Sequence, residues 1–335
     1  MPVIEVLLGI STCLGNTVIG AFLGSWLNNH FWVPLRTRSA VPPTTDGLTL
    51  KDVNQLRLKK LFLAVEQRQG EVIAIVEGSN PRIGVGGLPL RADEQNTEKD
   101  SDEPIYFKSS PNCLDTMNSM TKYIIEHSDQ LWDGHVPRGQ QSAHDACSNL
   151  SAYFGYLKHQ RGKRPSSLAH LSGWKVDAIN CDDKLNPETL REKYWPYEQS
   201  DDPAQPKTFG HCWSRVGDGR SHIVFTMCHD LVPEEDVIYR RELLAILGFM
   251  LTRMKSPYFE DHHVVPVMVI SCFPDHRARI LQAHLTDCDF IIRKSSPYDF
   301  SNPESREENL PLFLAYMASV PVGSTRFEEE GSSSQ

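Results

Sequence analysis

The sequence predicts an α/β or α+β body: a mixed β-sheet with packed helices, in which one long buried helix leads into a central strand. Three observations carry this. The run Val264-Val265-Pro266-Val267-Met268-Val269-Ile270-Ser271-Cys272 is apolar on both faces, as a strand in the middle of a sheet must be. Pro266 sits near its start, where a missing N–H is tolerated. The segment Glu234 to Met254 reads as a helix whose stripe of Leu243, Leu247, Met250 and Met254 is widened by Leu244, Ile246, Phe249 and Leu251. Almost no polar face remains, so it is expected to be covered on two sides. Finally, Asp218-Gly219 between two alternating runs is a two-residue hairpin signal.

Taken in order, 22 uncharged residues from Val6 to Leu27 open the chain, long enough to span a bilayer. Gly20 and Gly24 have the spacing of closely approaching apolar helices, and Trp26, Phe31 and Trp32 follow. No basic residue precedes the run and Glu5 does, unlike a signal peptide. Two readings stand: a segment docked on the body, or a membrane-inserted or self-associating helix. After Pro42-Pro43 a helix is expected from Thr49 or Lys51 to Gln67, stopped by Gly70. A short strand within Glu71 to Glu77 turns at Gly78-Ser79-Asn80-Pro81 and is expected to return at Ile83 to Leu90. Gly84, Gly86 and Gly87 lack the lysine and following helix of a phosphate-cradling loop.

A polar stretch from Arg91 to Glu103 precedes a helix starting near Cys113, and another is expected from Ser142 to Gln160. Arg161-Gly162-Lys163-Arg164-Pro165 is a short basic patch, and solvated surface is its simpler account. Ser172 to Ile179 has strand spacing, and Asn186-Pro187-Glu188 starts a short helix. If Asp218-Gly219 is the turn, opposed residue numbers sum to 437. Cys212, Ser214, Ser221, Ile223, Phe225 and Met227 then face the long helix, and His211, Trp213, Val224, Thr226 and Cys228 face away. Arg277 to Leu285 and Phe290-Ile291-Ile292 form a second hairpin, with Arg279, Leu281, Ala283 and Leu285 on one face. A short helix from Leu310 to Met317 closes the body. The expected organisation is an apolar segment 1–40, a helix-plus-hairpin region 48–90, a main α/β domain 104–327 and a disordered acidic tail 328–335.

Composition narrows the function. A net charge of -9 argues against a nucleic-acid partner. The eight cysteines show no close CxxC pairs, so neither a zinc cluster nor a secreted disulfide framework is expected. Cys113 near a helix start is a candidate nucleophile, with His211 or His229 as base. His211, Cys228, His229 and Asp230 gather at the end of a strand, where ligands meet α/β sheets. Their residue types suit zinc or iron. However, a regular strand points His229 away from Cys228, so no metal or other cofactor is expected. The acidic residues Asp230, Glu234, Glu235 and Glu242 fit helix-start charge placement better than a nuclease site. His276, Arg277, Arg279 and Arg293 make the second hairpin locally basic: an anion-binding site, or charges guarding a sheet edge.

Pro266–Ser271, His276–Ala283 and Arg293–Phe300, followed by Pro321-Val322-Gly323, resemble a group of uncharacterised proteins of filamentous fungi. The resemblance covers the C-terminal third of the chain. It implies a fungal, intracellular setting and carries no catalytic role. Two classes of function therefore stay open. One is a protein that works through a protein partner or self-association, cytoplasmic or membrane-associated through residues 6–27. The other is a hydrolase-like enzyme using a Cys/His/Asp or metal site near the 209–230 hairpin.

Overall fold

The structure, a computed structural model, describes residues 48–68, 70, 72–74, 83–91, 105–111, 143–156, 159–161, 164–176, 212–215, 219–228, 231–286 and 289–326. The apolar run 6–27, the helix expected at Cys113, the helix expected from Asn186 and the tail 328–335 lie outside these residues.

Thr49 starts the first helix, α1 (Leu50–Glu66), with a capping box: its hydroxyl accepts from Asp52 N–H and Asp52 accepts from Thr49 N–H. Gly70, at φ +104°, turns the chain beyond it. Strands β1 (Val72–Ala74), β2 (Ile83–Gly87) and β3 (Phe107–Lys108) follow. Helix α2 (Ala143–Ser151) runs into a π-helical turn, Ala152–Tyr156. The basic patch forms a small hairpin of β4 (His159–Arg161) and β5 (Arg164–Ser166). Next come α3 (Leu168–Leu171), β6 (Lys175–Val176), β7 (Cys212–Arg215), β8 (Arg220–Cys228) and β9 (Val237–Tyr239). Helix α4 (Arg240–Lys255) leads to β10 (Val267–Phe273), β11 (Arg277–Leu285), β12 (Phe290–Lys294) and β13 (Tyr298–Asp299). Helix α5 (Pro303–Met317) and β14 (Val320–Pro321) complete the described chain.

The main sheet has the order β2-β12-β11-β10-β8-β7-β6, with β13 added to the start of β11. β8 and β10 run parallel, as do β2 and β12, and the other neighbours are antiparallel. α4 is the crossover between the parallel strands β8 and β10, and it covers one face together with α1. That face holds Ile223, Phe225, Met227, Val267, Val269, Leu281, Ala283 and Ile292. α2, its π-turn, α3 and α5 cover the other face, over Trp213, Val224, Met268, Ile270, Cys272 and Ile280. Every residue of β10 is buried, as its two-sided apolar pattern requires. α4 is itself sandwiched between the sheet and α1. The hairpin register follows the predicted sum: Cys212 faces Phe225, Trp213 faces Val224 and Ser214 faces Ile223, with a bulge after Ser214.

Five expectations are corrected. The helix expected from Ser142 to Gln160 does not reach its end, because His159 and Gln160 belong to β4 and pair with β5. β1 and β2 form no hairpin with each other: β1 pairs with β9, and β2 joins β12 inside the main sheet. The long helix begins at Arg240, because Val237-Ile238-Tyr239 is spent on a strand; Glu242 then accepts from Tyr239 N–H at 2.9 Å and closes the helix start. The last helix begins at Pro303, with the Asn302 side chain accepting from Ser305 N–H and proline at the first turn. Arg277–Leu285 is an interior strand of the sheet, so its charges do not guard an edge.

Candidate functional site

Strand direction assembles one end of the molecule. β12 is antiparallel to β11, which is antiparallel to β10, so β12 points the same way as β10. The C-terminal ends of β2, β8, β10 and β12 therefore share one end of the sheet, the usual ligand end of α/β folds. Three connections meet there: the 231–239 segment entering α4, the β10–β11 turn, and the chain from Ser295 to Ser301 that contains β13.

The 231–239 segment is gripped from below by buried charge. Arg279 and Glu242 are both wholly buried. The guanidinium makes a two-pronged pair with the carboxylate, Nε to Oε1 at 3.0 Å and Nη2 to Oε2 at 2.5 Å. Ser271 donates to the same Oε1 at 2.6 Å. The remaining arm of Arg279, Nη1, donates to two main-chain carbonyls of the segment, Glu234 O at 3.1 Å and Val237 O at 2.8 Å. The rings of Tyr239 and Phe273 lie about the guanidinium at 5.3 and 5.2 Å. Lys294 donates to Glu235 O, and the Tyr239 hydroxyl donates to Val232 O. Four main-chain carbonyls of one short segment are thus held by side chains from β11, β12 and β9. The outward side chains of Val232, Glu234, Glu235 and Asp236 stay exposed.

Beside this segment lies a shallow cleft of about 290 Å³ lined by Asp275, Arg277, Pro297, Asp299 and Ser301. Its floor is shaped by the β10–β11 turn, in which Asp275 and His276 both adopt left-handed backbone, φ 59° and 54°. Asp and His tolerate that region better than most residues. Phe300 N–H donates to His276 O at 2.8 Å and ties the turn to the next connection.

The four basic residues expected to bind an anion do not converge. Arg279 is saturated by Glu242 and two carbonyls. Arg293 lies opposite Gln282 and so on the other face of the sheet from Arg279. Half-buried His276 is pushed toward its neutral form by burial and then by Arg306, against the opposing pull of Asp145, Asp299 and Asp275. Arg277 alone is exposed and lines the cleft.

His211, His229, Asp230 and Cys113 lie outside the described residues. Cys228 is buried in the apolar cluster beneath α2, facing the predicted way. It sits opposite Cys272 in the β8–β10 register. The Cys272 thiol is pushed well up by burial, and then by its hydrogen bond with Cys147 of α2. Cys228 is thus packed in buried, apolar surroundings, the opposite of the electropositive, accessible setting that makes a cysteine nucleophilic. Among the described residues no group of three His, Cys, Asp or Glu could hold a metal ion, and no described helix is long and apolar enough to cross a membrane.

Two histidine arrangements were not visible from the sequence. His262 stands between Thr325, 2.8 Å from Nδ1, and Asp261, 3.6 Å from Nε2, which by residue type suggests a nucleophile, base and carboxylate. The protons are in the wrong places. Arg326 can only donate, and its Nε donates to His262 Nε2 at 3.2 Å. The neutral ring therefore carries its proton on Nδ1 and donates to Thr325, so it cannot take a proton from that hydroxyl. His262 and Thr325 are also buried, and burial lowers the His262 pKa. His222 is enclosed between Tyr106 and Phe107 and donates through Nε2 to Val322 O at 3.2 Å. Burial is the main cause that lowers its pKa to about 3. His222 ties Val322 to β8, and His262 ties Thr325 and Arg326 to the connection before β10.

No protein-family model matches the chain, and no curated protein and no solved structure matches it either.

Proposed function

We propose that this chain is a binding protein whose recognition surface is the C-terminal end of β8, β10 and β12, formed by the 231–239 segment and the adjoining cleft. The observation that carries the reading is the buried Arg279–Glu242 pair. Buried ion pairs seldom stabilise a fold more than apolar residues of similar size would, because desolvation offsets the attraction. What this pair does that apolar residues would not is fix two carbonyls of an exposed segment, Glu234 O and Val237 O. A surface held in one conformation before it meets its ligand loses less entropy on binding. The thiol chemistry weighed from the sequence gains no support at Cys228, which is buried in the apolar cluster under α2.

The test is a thermal-shift screen of the whole chain against a library of small polar metabolites, run in parallel on the E242Q/R279M variant. The amide introduced by E242Q keeps the hydrogen bond to Tyr239 N–H, and the thioether chain introduced by R279M fills the space of the guanidinium stem. The expected result is at least one compound that raises the wild-type melting temperature in a saturable manner and has at least ten-fold weaker affinity for the folded variant. A wild type that responds to nothing, or a variant that binds equally well, would overturn the reading.

A further inference from the structure

We infer that the cleft beside β13 takes a zwitterionic α-amino acid, its carboxylate on Arg277 and its ammonium between Asp275 and Asp299. The inference rests on the binding role proposed above and names the ligand class of that site. Arg277 and Asp299 are direct cross-strand partners in the β11–β13 pair. An arginine and an aspartate so placed ordinarily close on one another. Here they do not, because Asp299 is turned to the start of α5: Oδ1 accepts from Ser301 N–H at 2.8 Å and Oδ2 from the Ser301 hydroxyl at 3.0 Å. Asn309 donates to Asp299 O at 2.7 Å and fixes its main chain.

The outcome is a guanidinium and a carboxylate left open in the lining of one small cavity. Among the described residues neither Arg277 nor Asp275 makes a side-chain hydrogen bond or ion pair, and both are exposed. Asp275 is carried into the lining by the left-handed turn, itself anchored through His276 O. Asp299 already accepts four bonds, two from Ser301 and, at 3.5 Å each, one from Asn302 Nδ2 and one from the Ser305 hydroxyl, so it gives the cleft a fixed negative charge and Asp275 gives the open carboxylate. Arginine suits a planar carboxylate through paired N–H donors, whereas an ammonium satisfies two acidic groups at once. A plain anion would meet two carboxylates, and a plain cation would meet the guanidinium. A ligand with both charges one carbon apart meets neither conflict. The cavity of about 290 Å³ lies at the small end of ligand sites, which suits a single amino acid. Pro297 gives its short apolar wall.

The experiment is calorimetric titration of the full chain with the free L-amino acids, and with the N-acetyl and methyl-ester forms of any that bind. R277A and D275N, both changes at exposed residues, serve as variants whose fold is checked by circular dichroism and melting temperature. The expected result is saturable binding of a subset of amino acids, weakened at least ten-fold by acetylation, by esterification and by either substitution. Binding undiminished by acetylation or esterification, binding unchanged in R277A, or silence to all amino acids would overturn the inference. If the amino acids are silent while another compound binds wild type and not E242Q/R279M, the binding role survives and the zwitterion fails. Silence to every compound removes both.

Discussion

Separating the charges of the buried pair should cost far more than removing both. In R279M the Glu242 carboxylate keeps Ser271 Oγ and Tyr239 N–H as donors but loses the cation paired with it, with no exposure to water. In E242Q the guanidinium keeps Glu234 O, Val237 O and at most the amide oxygen. Each single change leaves a buried, uncompensated charge, a loss of about 3–5 kcal/mol. In E242Q/R279M no charge remains. The helix-start acceptor survives, and the main loss is the donor to buried Val237 O, about 1–3 kcal/mol for one unsatisfied group. Additivity of the singles would give about 6–10 kcal/mol, enough to unfold a domain of ordinary stability. The expected double-mutant coupling is therefore several kcal/mol in favour of the double variant. Urea unfolding of the four proteins measures it. Hydrogen exchange should locate the remaining effect at 231–239, with the interior of β10 unchanged. A double variant as destabilised as the sum of the singles would refute the reasoning, since the pair would then be acting as two independent groups.

Acid should weaken the fold through His222. Its folded pKa, about 3, lies below the unfolded value of 6.5, so between these pH values the unfolded chain holds one more proton. The stability is fully present above pH 6.5 and is lost as pH falls toward 3, at about 1.4 kcal/mol per pH unit from this group. Urea unfolding at pH 7 and pH 5 should show a steeper loss in wild type than in H222F; equal slopes would contradict it. His262 and His276 are shifted in the same direction and supply the slope that remains in the variant. T49A removes one side of the capping box of α1 and should lower unfolding stability by about 1 kcal/mol by urea titration. G84A places a Cβ 2.8 Å from Ile291 Cδ1, the movable end of that side chain, so Ile291 shifts aside and the cost is less than in a rigid-core overpacking, below about 1 kcal/mol, read as a small fall in melting temperature.

Periodicity fixed in advance part of what depends on neighbours along the chain. The β7–β8 register and its two faces followed from Asp218-Gly219, and the interior place of β10 followed from a run with no polar side. Partner choice over long distances was not legible. Gly78-Ser79-Asn80-Pro81 suggested a local return, yet β2 finds β12, a choice made by which edge of the finished sheet is open. Val237-Ile238-Tyr239 has β-branched and aromatic residues typical of strands, but the acidic run before it also resembled a helix start, and tertiary pairing with β1 decided between them. The Arg279–Glu242 pair left a signal that charge counting obscured. Alternation already set Arg279 with Leu281 and Ala283 on one otherwise apolar face, and Glu242 stood on a helix with almost no polar side. Two opposite charges on two faces that must pack together predict each other. The cleft left no comparable trace, since it depends on Asp299 turning away from Arg277 to serve α5.

The pairing of β2 with β12 bears on the order in which the molecule comes together. β10, β11 and β12 are joined by short turns and can assemble as a meander with little loop entropy to overcome. β2 must wait for that edge and then close a loop of about two hundred residues. On a ribosome the chain therefore releases β2 long before its partner exists, and for most of synthesis the strand is without the surface it will join. Stalled or C-terminally truncated chains ending before Phe290 should expose Ile83-Gly84-Val85-Gly86-Gly87 to proteases, whereas the finished protein shields it as an edge strand that opens at lower cost than β10.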